Sequence, residues 1–114
     1  KVKLGTAYFM SGQYEAAEKS YKSALVENPN LEEALSKLGY VQIILEDFIS
    51  AEENIEKSLE LNPDYKEAKL NLATLYMTTN RMEEAMSLLL NLLEDYPGDT
   101  KVRAAIQYIE NTYG

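Results

Sequence analysis

The chain has 114 residues, 46% of them hydrophobic, which supports one packed domain and argues against disorder. It contains no cysteine and no histidine, so disulfides, thiolate and imidazole catalysis and the common zinc sites are excluded. The net charge of -8 disfavours nucleic acid and anionic membrane; its plain consequence is solubility, its sharper one a basic partner.

Helical periodicity predicts seven helices, near 1–11, 14–28, 31–45, 48–61, 65–78, 82–95 and 99–112. The first residue is Lys1, not Met, so the chain is expected to be a fragment or a processed product of a longer protein. No signal-peptide pattern stands at Lys1, and a soluble, cytoplasmic setting is favoured. The first two helices are separated by the turn Ser11-Gly12-Gln13, and Pro29 ends the second. Asn30 and Glu33 read as a capping box opening the third helix, where Leu31, Ala34, Leu35, Leu38, Gln42 and Leu45 share a face. After Glu46-Asp47 comes the fourth, with Ala51, Ile55, Ser58 and Leu59 on one side. Pro63 closes it, and Asp64 with Glu67 reads as a second capping box for the fifth. Thr79-Asn80-Arg81 turns into the sixth, which Pro97 ends; Asp99 is expected to cap the seventh. The pairs Glu15–Lys19, Glu18–Lys22, Glu33–Lys37 and Glu53–Lys57 stand four apart on outward faces. The longest apolar run, Leu88-Leu89-Leu90, is far short of the roughly 20 residues that span a bilayer, so no membrane insertion is expected.

The three prolines, Pro29, Pro63 and Pro97, are the only ones, and they stand 34 residues apart. A period of this length marks one structural unit copied along a line. Aligned on the prolines, Leu4-Gly5-x-x-Tyr8 matches Leu38-Gly39-x-x-Gln42 and Leu72-Ala73-x-x-Tyr76. Ala17, Ala51 and Ala85 coincide, as do Tyr21, Ile55 and Leu89. This pattern resembles the tetratricopeptide repeat over almost the whole chain. The resemblance implies an all-α, right-handed superhelical solenoid of antiparallel helix pairs. Its units would be about 1–30, 31–64 and 65–98, followed by a capping helix at 99–112. Gln107, where a small residue would stand, marks that helix as the end of the stack.

In the resembled family the first helix of each unit lines a concave surface. With Leu4, Leu38 and Leu72 turned inward, a helical wheel puts Val2, Thr6, Phe9 and Met10 on the opposite face of the first helix. The same construction selects Ser36, Tyr40, Ile43 and Ile44, then Leu70, Thr74, Met77 and Thr78, and finally Ala104 and Tyr108. Surface helices are polar there, and these are not, which points to a groove for a partner helix or peptide. Val2, Thr6, Ser36, Tyr40, Ile44, Leu70, Thr74 and Tyr108 are taken as groove residues. For Phe9, Ile43 and Met77, groove and core stand as two open alternatives. Family members that grip the carboxylate of chaperone tails use Lys, Arg and Asn on this face. Here the matching positions are uncharged, Lys101 is the one cation expected at the rim, and a two-carboxylate clamp is not expected.

The sequence carries no Gly-rich phosphate loop, no Gly-x-Ser-x-Gly and no calcium loop, and adjacent pairs such as Glu52-Glu53 diverge around a helix. The expectation is a non-catalytic protein-protein interaction module without cofactor or metal. The alternatives are a self-assembling scaffold and an accessory domain of a larger enzyme or secretion component. Leu88 is expected against the last helix, while an exposed Leu90 would mark a contact between copies, making a homo-oligomer.

Overall fold

The computed structural model describes residues 1–113. It comprises α1 (Val2–Met10), α2 (Tyr14–Glu27), α3 (Glu32–Ile44), α4 (Phe48–Leu61), α5 (Lys66–Thr78), α6 (Met82–Asp95) and α7 (Thr100–Tyr113), with no strand among the described residues. Each helix packs on its neighbours in sequence, and α3 also touches α5, giving a slab 43 × 25 × 24 Å. No helix among the described residues is long and apolar enough to cross a membrane.

Size complementarity sets how closely the paired helices approach. A β-carbon at Gly5 would stand 2.6 Å from Tyr21 Cε1, and one at Gly39 would stand 2.5 Å from Ile55 Cγ1. Ala17, Ala51 and Ala85 are fully buried where α2, α4 and α6 are embraced by their neighbours. The large partners Tyr21, Ile55 and Leu89 are buried too, each worth about 1.5–3 kcal/mol on removal from water. Three apolar clusters follow, centred on Tyr21 with Leu38, on Ile55 with Leu72 and Leu75, and on Leu89 with Val102 and Ile109. Leu88 is half-buried and packs on the last two of these.

The turns inside the pairs repeat in conformation, not in residue type. Gly12, Glu46 and Asn80 all adopt positive φ, at 80°, 65° and 63°. Each is followed by a backbone bond back over the helix end: Gln13 N–H to Tyr8 O, Asp47 to Gln42, and Arg81 to Tyr76, at 2.9, 2.8 and 2.7 Å. Only glycine adopts this region freely.

The helix starts depart from expectation. No side-chain cap bond forms at Leu31 or Tyr65, the residues that cap α3 and α5, so neither expected capping box is present. Asn28 and Asn62 instead accept from the N–H of Asn30 and Asp64 and hold the preceding turns. Carboxylates stand at two cap positions: Asp47 Oδ1 accepts from the Ser50 N–H at the start of α4 (3.4 Å), and Asp99 Oδ1 accepts from the N–H groups of Lys101 (2.9 Å) and Val102 (3.0 Å) at the start of α7. An ion pair joins Asp99 to Lys66 of α5. Of the four expected i,i+4 pairs, Glu18–Lys22 closes, at 3.6 Å; Lys37 turns away from Glu33 to Glu67. Arg81 ties α4 to α6, bonding Glu52 and Glu84 while its guanidinium stacks over Tyr76.

Candidate functional site

The first helices of the pairs line one groove of about 520 Å³. Its apolar surface comes from Phe9 and Met10 on α1, Tyr40 on α3, Leu70, Ala73 and Met77 on α5, and Ala105 on α7. Phe9 is the hinge of the aromatic part: its ring meets Tyr14 at 5.7 Å and Tyr40 edge-on at 5.6 Å, joining the first two helix pairs.

Of the eleven residues assigned to the groove from sequence, the structure brings Thr6, Phe9, Tyr40, Leu70, Thr74 and Met77 together along it. The other five lie elsewhere. Ser36 is 0% exposed, because α5 packs directly on α3 there and Asn71 Nδ2 donates to its Oγ (2.9 Å) and its carbonyl (3.1 Å). Ile43, 6% exposed, belongs to the core around Ile55 and Leu72. That settles one open alternative in favour of core. Val2 packs on the cluster around Tyr21. Ile44 and Tyr108 are exposed but do not line the groove. A helical wheel treats each helix alone and so misses the neighbour that covers part of its free face.

Sequence reasoning also missed Lys37, Glu67 and Asn71, all of which line the groove. Lys101 is therefore not its one cation. The 34-residue register carried a signal, since Lys37 and Asn71 are equivalent positions and each meets a partner across the α3–α5 seam, Lys37 with Glu67 and Asn71 with Ser36.

Most polar groups of the groove are already partnered within the protein, while Lys101 has no acidic partner among the described residues. The hydroxyls of Thr6 and Tyr21 bond at 3.0 Å. Thr74 Oγ1 donates to the Leu70 carbonyl of its own helix, and Asn71 is committed to Ser36. Lys37 Nζ pairs with Glu67 Oε1 at 3.4 Å, while Tyr65 donates its hydroxyl to Glu67 Oε2 at 2.9 Å. Burial and then that hydrogen bond push the Tyr65 phenol far above its ordinary range, so it stays a donor. Among the described residues no cluster of three or more His, Cys, Asp or Glu side chains is placed to hold a metal ion.

Helix pairs in a 34-residue register, with small residues at the approach points and first helices lining a groove, define a tetratricopeptide-type solenoid. Comparison with known proteins agrees: the tetratricopeptide repeat family matches residues 42–107, and a TPR repeat pattern matches residues 5–43. The chain belongs to the tetratricopeptide repeat family. It is 32% identical over 106 residues to sperm-associated antigen 1 of Mus musculus, a match covering 93% of this chain and 12% of that protein. The first TPR of Spaghetti (RPAP3) bound to the HSP90 peptide SRMEEVD superposes with a TM-score of 0.88 at 21% identity, covering 97% of this chain and 88% of that one. The second TPR domain of human RPAP3, in complex with the HSP70 peptide SGPTIEEVD, gives a TM-score of 0.83 at 18% identity, covering 95% and 90%. These two likenesses are of fold.

Proposed function

We propose that the chain is a non-catalytic interaction module whose groove receives an apolar segment, a peptide or one face of a helix, from a partner protein. The observation that carries this reading is the internal pairing of the groove's polar groups. With Thr6, Thr74, Asn71, Lys37 and Glu67 engaged, the surface offered to a ligand is mainly that of Phe9, Met10, Tyr40, Leu70 and Met77, with Lys101 as its one free charge among the described residues. Methionine and aromatic side chains at such a surface adapt to incoming apolar groups. The peptides bound by the RPAP3 neighbours support a peptide as the ligand class. At about 520 Å³ the groove admits a few side chains but not the body of a helix, which is about 10–12 Å across. Nothing in the arrangement supplies a paired nucleophile and base, so the reading needs no catalytic step.

The test is selection of a displayed nonapeptide pool on the wild-type protein, followed by rebinding to Tyr40→Ala/Met77→Ala. Loss of two central apolar anchors is expected to weaken the selected peptides at least about tenfold, with the far-UV circular dichroism spectrum retained. Undiminished rebinding would place the ligand elsewhere.

A further inference from the structure

Two ammonium groups line the groove, Lys37 and Lys101, in a chain of net charge -8. A carboxylate entering the groove would seek these cations, since charge-assisted bonds are the strong ones. Lys37 is already taken by Glu67. Glu67 is in turn fixed from two sides, one oxygen held by Lys37 of α3 and the other by the Tyr65 hydroxyl at the start of α5. It stands in the first turn of α5, where the helix dipole favours a negative charge. The neighbouring lysines are committed as well, Lys66 to Asp99 and Lys69 to Asp64. Among the described residues Lys101 is then the one lining cation without an acidic partner.

We infer that Glu67 is a specificity-determining residue: by occupying Lys37 it disfavours carboxylates on the α3–α5 side of the groove, where uncharged, apolar groups are selected, and leaves Lys101 as the one free lining cation among the described residues. This rests on the groove being the binding site. An acidic ligand competing for Lys37 would leave Glu67 unpaired beside a second carboxylate, and like charges at that range oppose each other. An uncharged ligand disturbs neither group.

The experiment uses a displayed pool of nonapeptides randomised over Leu, Phe, Met, Ser, Thr, Lys and Glu, selected in parallel on four proteins. On wild type the retained peptides are expected to carry less Glu than on Glu67→Gln, since of the lining cations among the described residues Lys101 alone is free to receive it. On Glu67→Gln, which frees Lys37, Glu should recover about threefold to fivefold, the range of a part-exposed ion pair. Glu83→Gln removes the same charge from an exposed position of α6 and should leave the wild-type profile unchanged. Lys37→Met added to Glu67→Gln should abolish the recovery, tying it to the freed ammonium. More Glu on wild type than on Glu67→Gln, identical profiles for the two, or an equal response to Glu83→Gln would each overturn the inference while leaving the groove as the site. A selected pool that rebinds Tyr40→Ala/Met77→Ala undiminished would remove the groove reading, and this inference with it.

Discussion

Replacement of Gly39 by alanine tests whether the size pairing between helices holds the solenoid together. The new methyl would lie 2.5 Å from Ile55 Cγ1 and 3.2 Å from the Ala51 carbonyl oxygen, and the second of these is backbone that has little room to retreat. Overpacking of this kind costs about 1–3 kcal/mol. Against it stands the gain of about 1 kcal/mol for alanine over glycine inside a helix. The expected result is a net loss of about 1 kcal/mol, read as a lower urea midpoint at unchanged m. The third helix pair indicates the remedy, because the equivalent positions there hold Ala73 opposite Leu89, both in one core cluster. Leucine has a single γ-carbon and no β-branch, so its χ1 is freer than that of Ile55 to turn the side chain away from position 39. On an Ile55→Leu background, Gly39→Ala is therefore expected to become neutral or stabilising, a coupling of about 1–2 kcal/mol in a double-mutant cycle. If Gly39→Ala alone is as stable as the parent, or if the cycle shows no coupling, close approach is not what the glycine provides.

Two further outcomes follow from the turns and the last helix. Glu46→Gly should raise stability by about 0.5–1 kcal/mol, measured by urea unfolding, because Glu46 sits at φ 65° where a β-carbon is strained. The Asp99 carboxyl is held below its ordinary value of 3.8, first by the hydrogen bond from Lys66 and then by the Val102 N–H. Since the folded value is the lower one, its stabilisation is complete above pH 3.8 and is lost as the pH falls below that through the depressed value. Protection of the Val102 amide against hydrogen exchange, taken relative to its intrinsic rate at each pH, should fall over that acidic window in the wild type and show no such step in Asp99→Asn; an identical pH profile in both would refute the role of Asp99.

The residues that announce the fold act locally or at fixed register, which is why they were legible. Pro29, Pro63 and Pro97 stop helices wherever they stand, and Gly5, Gly39 and Ala73 mark close approach because they lack bulk. The groove was legible in part, through Thr6, Phe9, Tyr40, Leu70, Thr74 and Met77, whose helix faces their neighbours cover only in part. Ser36 and Ile43 defeated the same reasoning because burial there is decided by α5, a helix more than twenty residues away in sequence. Lys37 and Glu67 were assigned to solvent and to a capping box for a similar reason, since each found a partner on another helix. The false capping boxes show that spacing alone does not make a cap: the residue at the cap position is Leu31 or Tyr65, whereas Asp47 and Asp99 place a carboxylate oxygen there.

The size pairing has a consequence for how such a module adapts. Gly5 with Tyr21 and Gly39 with Ile55 fix the separation between each inner helix and the one behind it. Those separations set how the inner helices splay, and so the gauge of the channel between them. A change behind the wall retunes the fit of whatever lies inside without altering one ligand-facing atom. Variants with shifted preference are therefore to be sought among the small residues at the back as readily as among the aromatics at the front.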